Sequence, residues 1–205
     1  MGTPAALRRV GRPRNPELDR AILAAAEHQL GEAGYAGMSL ESVAAAAGTT
    51  VPAVRRRFPS KASIAVAVID SLRVESMPAE SAPPRSRALA ILRNFHANLQ
   101  RRNSMAVVGT LLSEEGRHPE LLAAFRGRLV EPRRAALRGA LADGISSGEL
   151  PDSADPDVLA SMLIGSLYAR YVAASAIPDD WAERTLRQVW PESIHRQNAE
   201  KPPSA

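Results

Sequence analysis

Apolar residues recur at helical spacing along almost the whole chain, and this periodicity limits the possible folds more than any other feature. Aromatic residues make up only 4% of the 205 residues, and no run alternates apolar and polar residues as a half-buried strand would. The sequence therefore predicts an all-α fold, with a kink at Pro132 in its longest helix. Helices are expected over about 16–33, 39–47, 50–58, 60–76, 86–102, 105–117, 118–147, 155–174 and 178–190.

Residues 77–86 are rich in proline, serine and alanine, which predicts a linker between two helical domains. We expect a flexible basic arm over residues 1–15, an N-terminal domain over 16–76, a larger domain over 87–190 and a polar tail over 191–205. Cysteine is absent, which excludes disulfides and cysteine-ligated zinc. Neither a signal peptide nor a membrane-spanning stretch is evident, so a cytoplasmic protein is expected, without membrane partners.

Positive charge is concentrated in the first third of the chain. Residues 1–61 contain nine basic and five acidic residues, which accounts for the whole formal net charge of +4. The rest of the chain is neutral overall. A local excess of this kind favours a polyanionic partner, and nucleic acid is the commonest one.

Residues 39–58, SLESVAAAAGTTVPAVRRRF, contain the pattern of a helix-turn-helix motif. Ser39 can cap a short helix that ends before Gly48, and Thr50 can cap the next one. Two short helices joined by a glycine-containing turn are typical of DNA-binding domains, in which the second helix enters the major groove.

The second helix of this motif has one apolar face and one basic face. Its apolar face consists of Val51, Val54 and Phe58. Arg56 lies almost opposite that face, and Arg55 and Arg57 lie at its margins. Arginine pairs bidentately with guanine and also binds phosphate. The spacing predicts that Arg56 contacts bases and that its two neighbours contact phosphates, although Thr50 or Pro52 could instead contact a thymine methyl.

Several of these features together resemble the N-terminal domain of the TetR family of bacterial transcription regulators. The matching features over about residues 11–72 are the GRPR arm at 11–14, Gly34-Tyr35, Ser39, Gly48 and the sequence from Phe58 to Lys61. Residues 117–190 also resemble a C-terminal ligand-binding domain found in part of the family. The third helix departs from the family pattern at Val51, Pro52 and Arg55, so a different base preference is expected.

The resemblance implies a three-helix DNA-binding domain, a larger helical domain for dimerisation and ligand binding, and a double-stranded DNA operator as partner. It also implies that Lys61 binds a phosphate at the start of the fourth helix. The residues expected to contact DNA are Arg12, Arg14, Ser39, Thr50, Pro52, Arg55, Arg56, Arg57 and Lys61.

The resemblance further implies a homodimer and a small-molecule effector of unknown identity. Small residues at every fourth position would allow a partner helix to approach closely, and apolar residues of the last helix would extend the contact. The expected interface residues are Ser161, Gly165, Ala169, Ala173, Leu186, Val189 and Trp190. The expected effector-binding residues are Phe95, Leu99, Met105, Phe125, Leu163, Leu167, Tyr168 and Tyr171.

An enzyme is not expected, because the four histidines are scattered and no metal-ligand, nucleophile or phosphate-loop motif is present. No metal or cofactor is expected either. The remaining alternative is an effector-independent, nucleoid-type DNA-binding protein, which would leave the large neutral second domain without a purpose. The sequence thus favours a transcription regulator, most simply a repressor that an effector releases from DNA.

Overall fold

The computed structural model describes residues 15–72 and 77–191, and the regular structure in these ranges is helical. Five helices precede residue 73: α1 (Pro16–Glu32), α2 (Gly34–Gly37), α3 (Leu40–Ala46), α4 (Val51–Arg55) and α5 (Lys61–Ser71). Six α-helices follow: α6 (Pro84–Gln100), α7 (Ser104–Ser113), α8 (Pro119–Phe125), α9 (Glu131–Ser146), α10 (Pro156–Val172) and α11 (Trp181–Val189). The predicted all-α fold is confirmed.

Five of the eleven α-helices in the described ranges begin at a side chain that caps their free backbone N–H groups. Asn15 Oδ1 accepts a hydrogen bond from Glu17 N at 2.9 Å, and Asp155 Oδ1 accepts one from Asp157 N at 2.8 Å. Ser39 and Ser60 each form a reciprocal capping box with the serine three residues later. These starts agree with the sequence because a cap is a local interaction. In contrast, α6 begins at Pro84, inside the segment predicted as linker.

A π-helical turn over Arg126–Val130 joins α8 to α9, where the sequence predicted one long helix kinked at Pro132. Glu131 N–H donates to the carbonyl of Arg126, five residues earlier. In a regular α-helix, the ring of Pro132 would collide with the carbonyl of Arg128, which would also lose its donor. The wider turn avoids this collision, so the proline is accommodated by a local change of winding.

Two hydrophobic cores form, and their boundary does not coincide with the predicted linker. The second core lies between α6, α9, α10 and α11. The first core is built by α1, α3, α4 and α5 together with α7, α8 and the π turn. Its buried side chains include Ile22, Leu30, Val54, Ile64, Val68, Val107, Leu111, Leu121 and Phe125. The N-terminal helices therefore share their core with elements that follow the linker.

Polar contacts reinforce this shared packing. The Thr110 hydroxyl of α7 donates to the Leu30 carbonyl of α1 at 2.9 Å. Arg101 Nη1, directly after α6, donates to the Ser71 carbonyl at the end of α5 at 2.7 Å. These bonds connect the ends of α1 and α5 to the second half of the chain.

Two glycines of α9 provide a test of the second core. A Cβ atom on Gly144 would lie 2.6 Å from Cζ2 of the buried Trp190 ring, whereas a Cβ atom on Gly139 would meet no atom within 4 Å. We expect Gly144→Ala to destabilise the fold by about 1–3 kcal/mol through overpacking. Gly139→Ala, the matched control, should stabilise it by up to about 1 kcal/mol through helix propensity. Urea unfolding measures both, and equal effects would contradict the packing described here.

Candidate nucleic-acid interface

A tight turn fixes the angle between α3 and α4. Gly48 has φ of +63°, a left-handed conformation that costs glycine little. Its N–H donates to the Ala45 carbonyl at 3.2 Å, and Thr49 N–H donates to the Ala44 carbonyl at 2.9 Å. This pair of bonds ends α3 and returns the chain into α4.

The α4 helix has one buried and one exposed face, as the spacing of its apolar residues predicts. Val54 is fully buried, and Val51 and Phe58 pack half-buried against the first core. The exposed face carries four of the residues that the sequence singled out, namely Thr50, Pro52, Arg55 and Arg56. The regular helix ends at Arg55, which is earlier than predicted, and Arg56 follows as its C-cap.

Arg55 and Arg56 have no carboxylate partner among the described residues. Both side chains are exposed, and Glu41 is the one acidic residue between positions 33 and 69. The surface beside α4 is therefore positively charged, which suits a phosphate backbone and the electronegative edge of guanine.

Arg57 differs from its two neighbours because it pairs with an acid of α1, and its expected contact with DNA stays a prediction. Its Nε donates to Asp19 Oδ1 of α1, and its Nη1 donates to the Ala53 carbonyl at 3.2 Å. Only 17% of the side chain is exposed. The position at the margin of the apolar face turns this side chain back onto α1, so Arg57 holds α4 in place.

Lys61 lies at the start of α5, beside the short helix α2. Its ammonium group donates to the Ala36 carbonyl at 3.2 Å and lies 4.4 Å from the centre of the Tyr35 ring. The Tyr35 ring is itself buried and packs edge-on against His118. An ammonium group has three N–H donors, so two remain for a phosphate.

The hydroxyl groups of Ser39 and Thr50 serve as helix caps. Ser39 Oγ accepts from Ser42 N and donates to Ser42 Oγ, both at 3.0 Å. Thr50 Oγ1 accepts from Ala53 N at 3.4 Å, and its side chain stays exposed. Ser39 is thus occupied by the cap, whereas Thr50 remains accessible to a base or phosphate. Arg12 and Arg14 lie outside the described residues.

Two family models match this chain. The model described as "Bacterial regulatory proteins, tetR family" matches residues 22–68, and "Tetracyclin repressor-like, C-terminal domain" matches residues 79–189. The chain belongs to the TetR family. It is accordingly a DNA-binding transcriptional regulator.

Curated relatives agree with this assignment. An uncharacterized HTH-type transcriptional regulator, YdeS of Bacillus subtilis, is 27% identical over 180 residues, which are 86% of this chain and 89% of the relative. A similar regulator of Mycobacterium tuberculosis is 28% identical over 167 residues, which are 81% of this chain and 80% of the relative.

Solved structures show the same fold. AibR, determined in complex with isovaleryl coenzyme A and operator DNA, has a TM-score of 0.66 at 22% identity and covers 85% of this chain and 98% of its own. A TetR-family regulator from Rhodococcus sp. has a TM-score of 0.63 at 19% identity, with 85% and 97% coverage. Within the described ranges, no helix is long and apolar enough to cross a membrane.

Four of the eight predicted effector-binding residues meet in one place. Phe95, Leu99, Phe125 and Tyr168 line a narrow cavity between the two cores. Leu163 and Leu167 lie in the second core instead, Met105 is half-buried outside the cavity, and Tyr171 is 51% exposed on α10. The sequence missed the polar lining residues, which are Asn98, Ser104 and Arg133. No pattern separates Arg133 from the exposed arginines that surround it in α9.

The predicted interface residues also fall into two groups, which differ in exposure. Ser161, Ala169 and Ala173 are exposed on α10, and Gly165 and Val189 are half-buried. Leu186 and Trp190 are 0% and 2% exposed within the second core, so they are unavailable to a partner, and their assignment to the interface is corrected. The apolar side chains of α11 face inward because they pack within the second core of the same chain.

The Arg57–Asp19 ion pair should contribute to the stability of α4 on α1. Removing either group leaves a partly buried charge, so we expect Arg57→Ala and Asp19→Ala each to cost about 1–3 kcal/mol. A double-mutant cycle in urea should give a coupling energy of about 1 kcal/mol. Glu17→Ala removes an exposed acid from the same helical turn and serves as the control. A coupling energy near zero would show that the pair has no structural role.

Proposed function

We propose that the protein is a homodimeric repressor that binds a palindromic operator through two copies of α4 and leaves it when a small molecule binds in the second half of the chain. The observation that carries the DNA-binding half of this proposal is the exposed Arg55–Arg56 pair. Among the residues that the structure describes, these two guanidinium groups have no acidic partner, and they lie at the end of a helix whose opposite face is buried. A polyanion would neutralise them.

The α4 helix is suited to insertion into the major groove. It is short, its apolar face is anchored by Val54, and its first turn exposes Thr50 and Pro52. Arg56 is proposed to contact bases, whereas Arg55 and Lys61 are proposed to bind phosphates at the walls of the groove. Arg57 supports them by fixing α4 on α1.

Substitutions should separate base contacts from phosphate contacts. We expect Arg56→Ala to cost about 1–3 kcal/mol of discrimination at one base pair. Arg55→Ala and Lys61→Ala should weaken binding to specific and random DNA alike and reduce the salt dependence by about one phosphate contact each. Binding-site selection followed by salt titration measures both effects. An unchanged consensus for Arg56→Ala, with a changed one for Arg55→Ala, would reverse these assignments.

The exposed face of α10 is proposed as the dimer interface. Its exposed apolar side chains include Val158, Met162 and Val172, which are 53%, 57% and 83% exposed. Together with Gly165 and Ala169 they recur at alternating intervals of four and three residues, the spacing of a helix seam that packs against another helix. Burial against a second copy would remove this apolar surface from water. A two-fold axis would also place two α4 helices on the two halves of a palindrome.

Association should depend on this face and not on apolar exposure in general. Met162→Glu should convert the dimer to monomer and reduce operator affinity, because a carboxylate would be buried in an apolar contact. Leu112→Glu on α7 changes a side chain of nearly equal exposure, 56%, and should leave the dimer intact. Sedimentation velocity measures the mass of each variant. Monomeric wild-type protein with full operator affinity would refute the proposed interface.

The proposed release by an effector is supported by the shared first core and, at the level of the fold, by AibR with its acyl-coenzyme A and operator. Because α7 and α8 pack directly on α1 and α5, a ligand that displaces them shifts the DNA-binding helices. Footprinting on the DNA that flanks the gene of this protein tests whether it binds a specific operator. Protection that is salt-dependent but indifferent to sequence would favour the nucleoid-type alternative.

A further inference from the structure

Arg133 is a half-buried cation that has no acidic partner among residues 15–72 and 77–191. It lies in the first turn of α9, directly after Pro132, and its guanidinium carbon is 5.0 Å from the centre of the Phe95 ring. No carboxylate of the described residues lies within 4 Å of it, although the arginines at positions 126, 128, 134 and 138 all have one. Burial lowers the pKa of Arg133, while the nearby phenol of Tyr168 opposes that shift.

The guanidinium lines the narrow cavity between the two cores. The apolar lining consists of Leu72, Phe95, Leu99, Val108, Phe125 and Leu129. The polar lining consists of Asn98, Ser104, Arg133 and Tyr168. Among the described lining residues, Arg133 carries the single formal charge. The cavity volume open to water is only about 20 Å³. A ligand would therefore enter only if the lining moves apart.

Ser104 is a second, independent case of a lining residue whose polar group lacks a partner among the described residues. The residue is 3% exposed, and its hydroxyl group is buried without a hydrogen-bond partner in the described structure. A buried hydroxyl group that makes no hydrogen bond destabilises the folded state. Within the described part of the chain, the site thus combines a cation without a carboxylate partner and a hydroxyl without a hydrogen-bond partner with six apolar lining side chains. Packing of Arg133 against Phe95 accounts for a cation that has no carboxylate partner. It does not account for the Ser104 hydroxyl that makes no hydrogen bond.

We propose that the effector is a small organic monocarboxylate, whose head group pairs with Arg133 and Ser104 and whose apolar body lies among Phe95, Leu99 and Phe125. This inference rests on the proposed ligand-released function and names the chemical class of the ligand. A carboxylate matches the planar guanidinium and accepts from a hydroxyl as well. A phosphate ester would bring about two negative charges against one cation, which disfavours it.

The position of the cavity links its occupant to DNA binding. Leu72 caps the end of α5, whose first residue is Lys61, and Phe125 and Leu129 belong to α8 and the π turn. These residues also belong to the first core, which holds α4. An anion that opens the cavity therefore separates α5 from α8 and changes the position of α4.

The probes are straight-chain carboxylates of four to ten carbons, benzoate and phenylacetate, each compared with the alcohol of the same carbon skeleton. Isothermal calorimetry on the full-length dimer should show that at least one carboxylate binds and that its alcohol binds about tenfold or more weakly. Arg133→Met should weaken carboxylate binding about tenfold or more, and Ser104→Ala should weaken it less. Arg138→Met, an exposed arginine of the same helix, is the control and should change nothing.

Two further measurements distinguish failure of the effector assignment from failure of the proposed function. Arg133→Met should raise the melting temperature of the ligand-free protein, because an unpaired charge is removed, whereas a purely structural arginine would give a lower value. Equal binding of acid and alcohol, binding unaffected by Arg133→Met, or no binding by any carboxylate at millimolar concentration would overturn the inference. Operator binding is measured in parallel. Its absence in the wild type would overturn the proposed function itself, while operator binding that carboxylates do not change would overturn only the assignment of the effector.

Discussion

The packing of α1 and α5 against α7 and α8 is the interaction on which the rest of the structure depends. An isolated helix as short as the five-residue α4 is unstable in water, so α4 owes both its existence and its position to the first core. That core is completed by Val107, Leu111 and Leu121, which follow the linker in sequence. The DNA-binding helices therefore share their core with α7 and α8.

The sequence predicted the features that depend on local chemistry. Helix starts at Asn15, Ser39 and Asp155 could be located because a capping side chain lies within three residues of the N–H groups that it satisfies. The short helix α2 was missed because no side chain caps it, and the π turn was missed because its winding depends on the clash at Pro132 and the packing around it. The first core was also not foreseeable, since periodicity identifies an apolar face but not the helix that covers it.

The three consecutive arginines show which features of a binding site a sequence pattern can predict and which it cannot. Angular position alone predicted that Arg56 points away from the protein and that its neighbours lie at the margins. It could not show that Asp19, 38 positions earlier, lies beside Arg57. Arg57, one of the three arginines, consequently has a structural contact that its two neighbours lack. The same reasoning applies to Leu186 and Trp190, whose apolar character was read correctly but whose partner is their own domain.

The site of Arg133 lies at the boundary between the two cores, and this location determines what a ligand can do. A ligand within one core would stabilise that core without changing how the two are arranged. A ligand larger than a water molecule fits at the boundary only where Leu72, Phe95 and Phe125 move apart, since the cavity volume is about 20 Å³. Its binding free energy then favours the open arrangement by the difference in its affinity for the two states. Because Leu72 ends the helix that begins at Lys61, such an opening would act on the end of α5 opposite the residue proposed to bind phosphate.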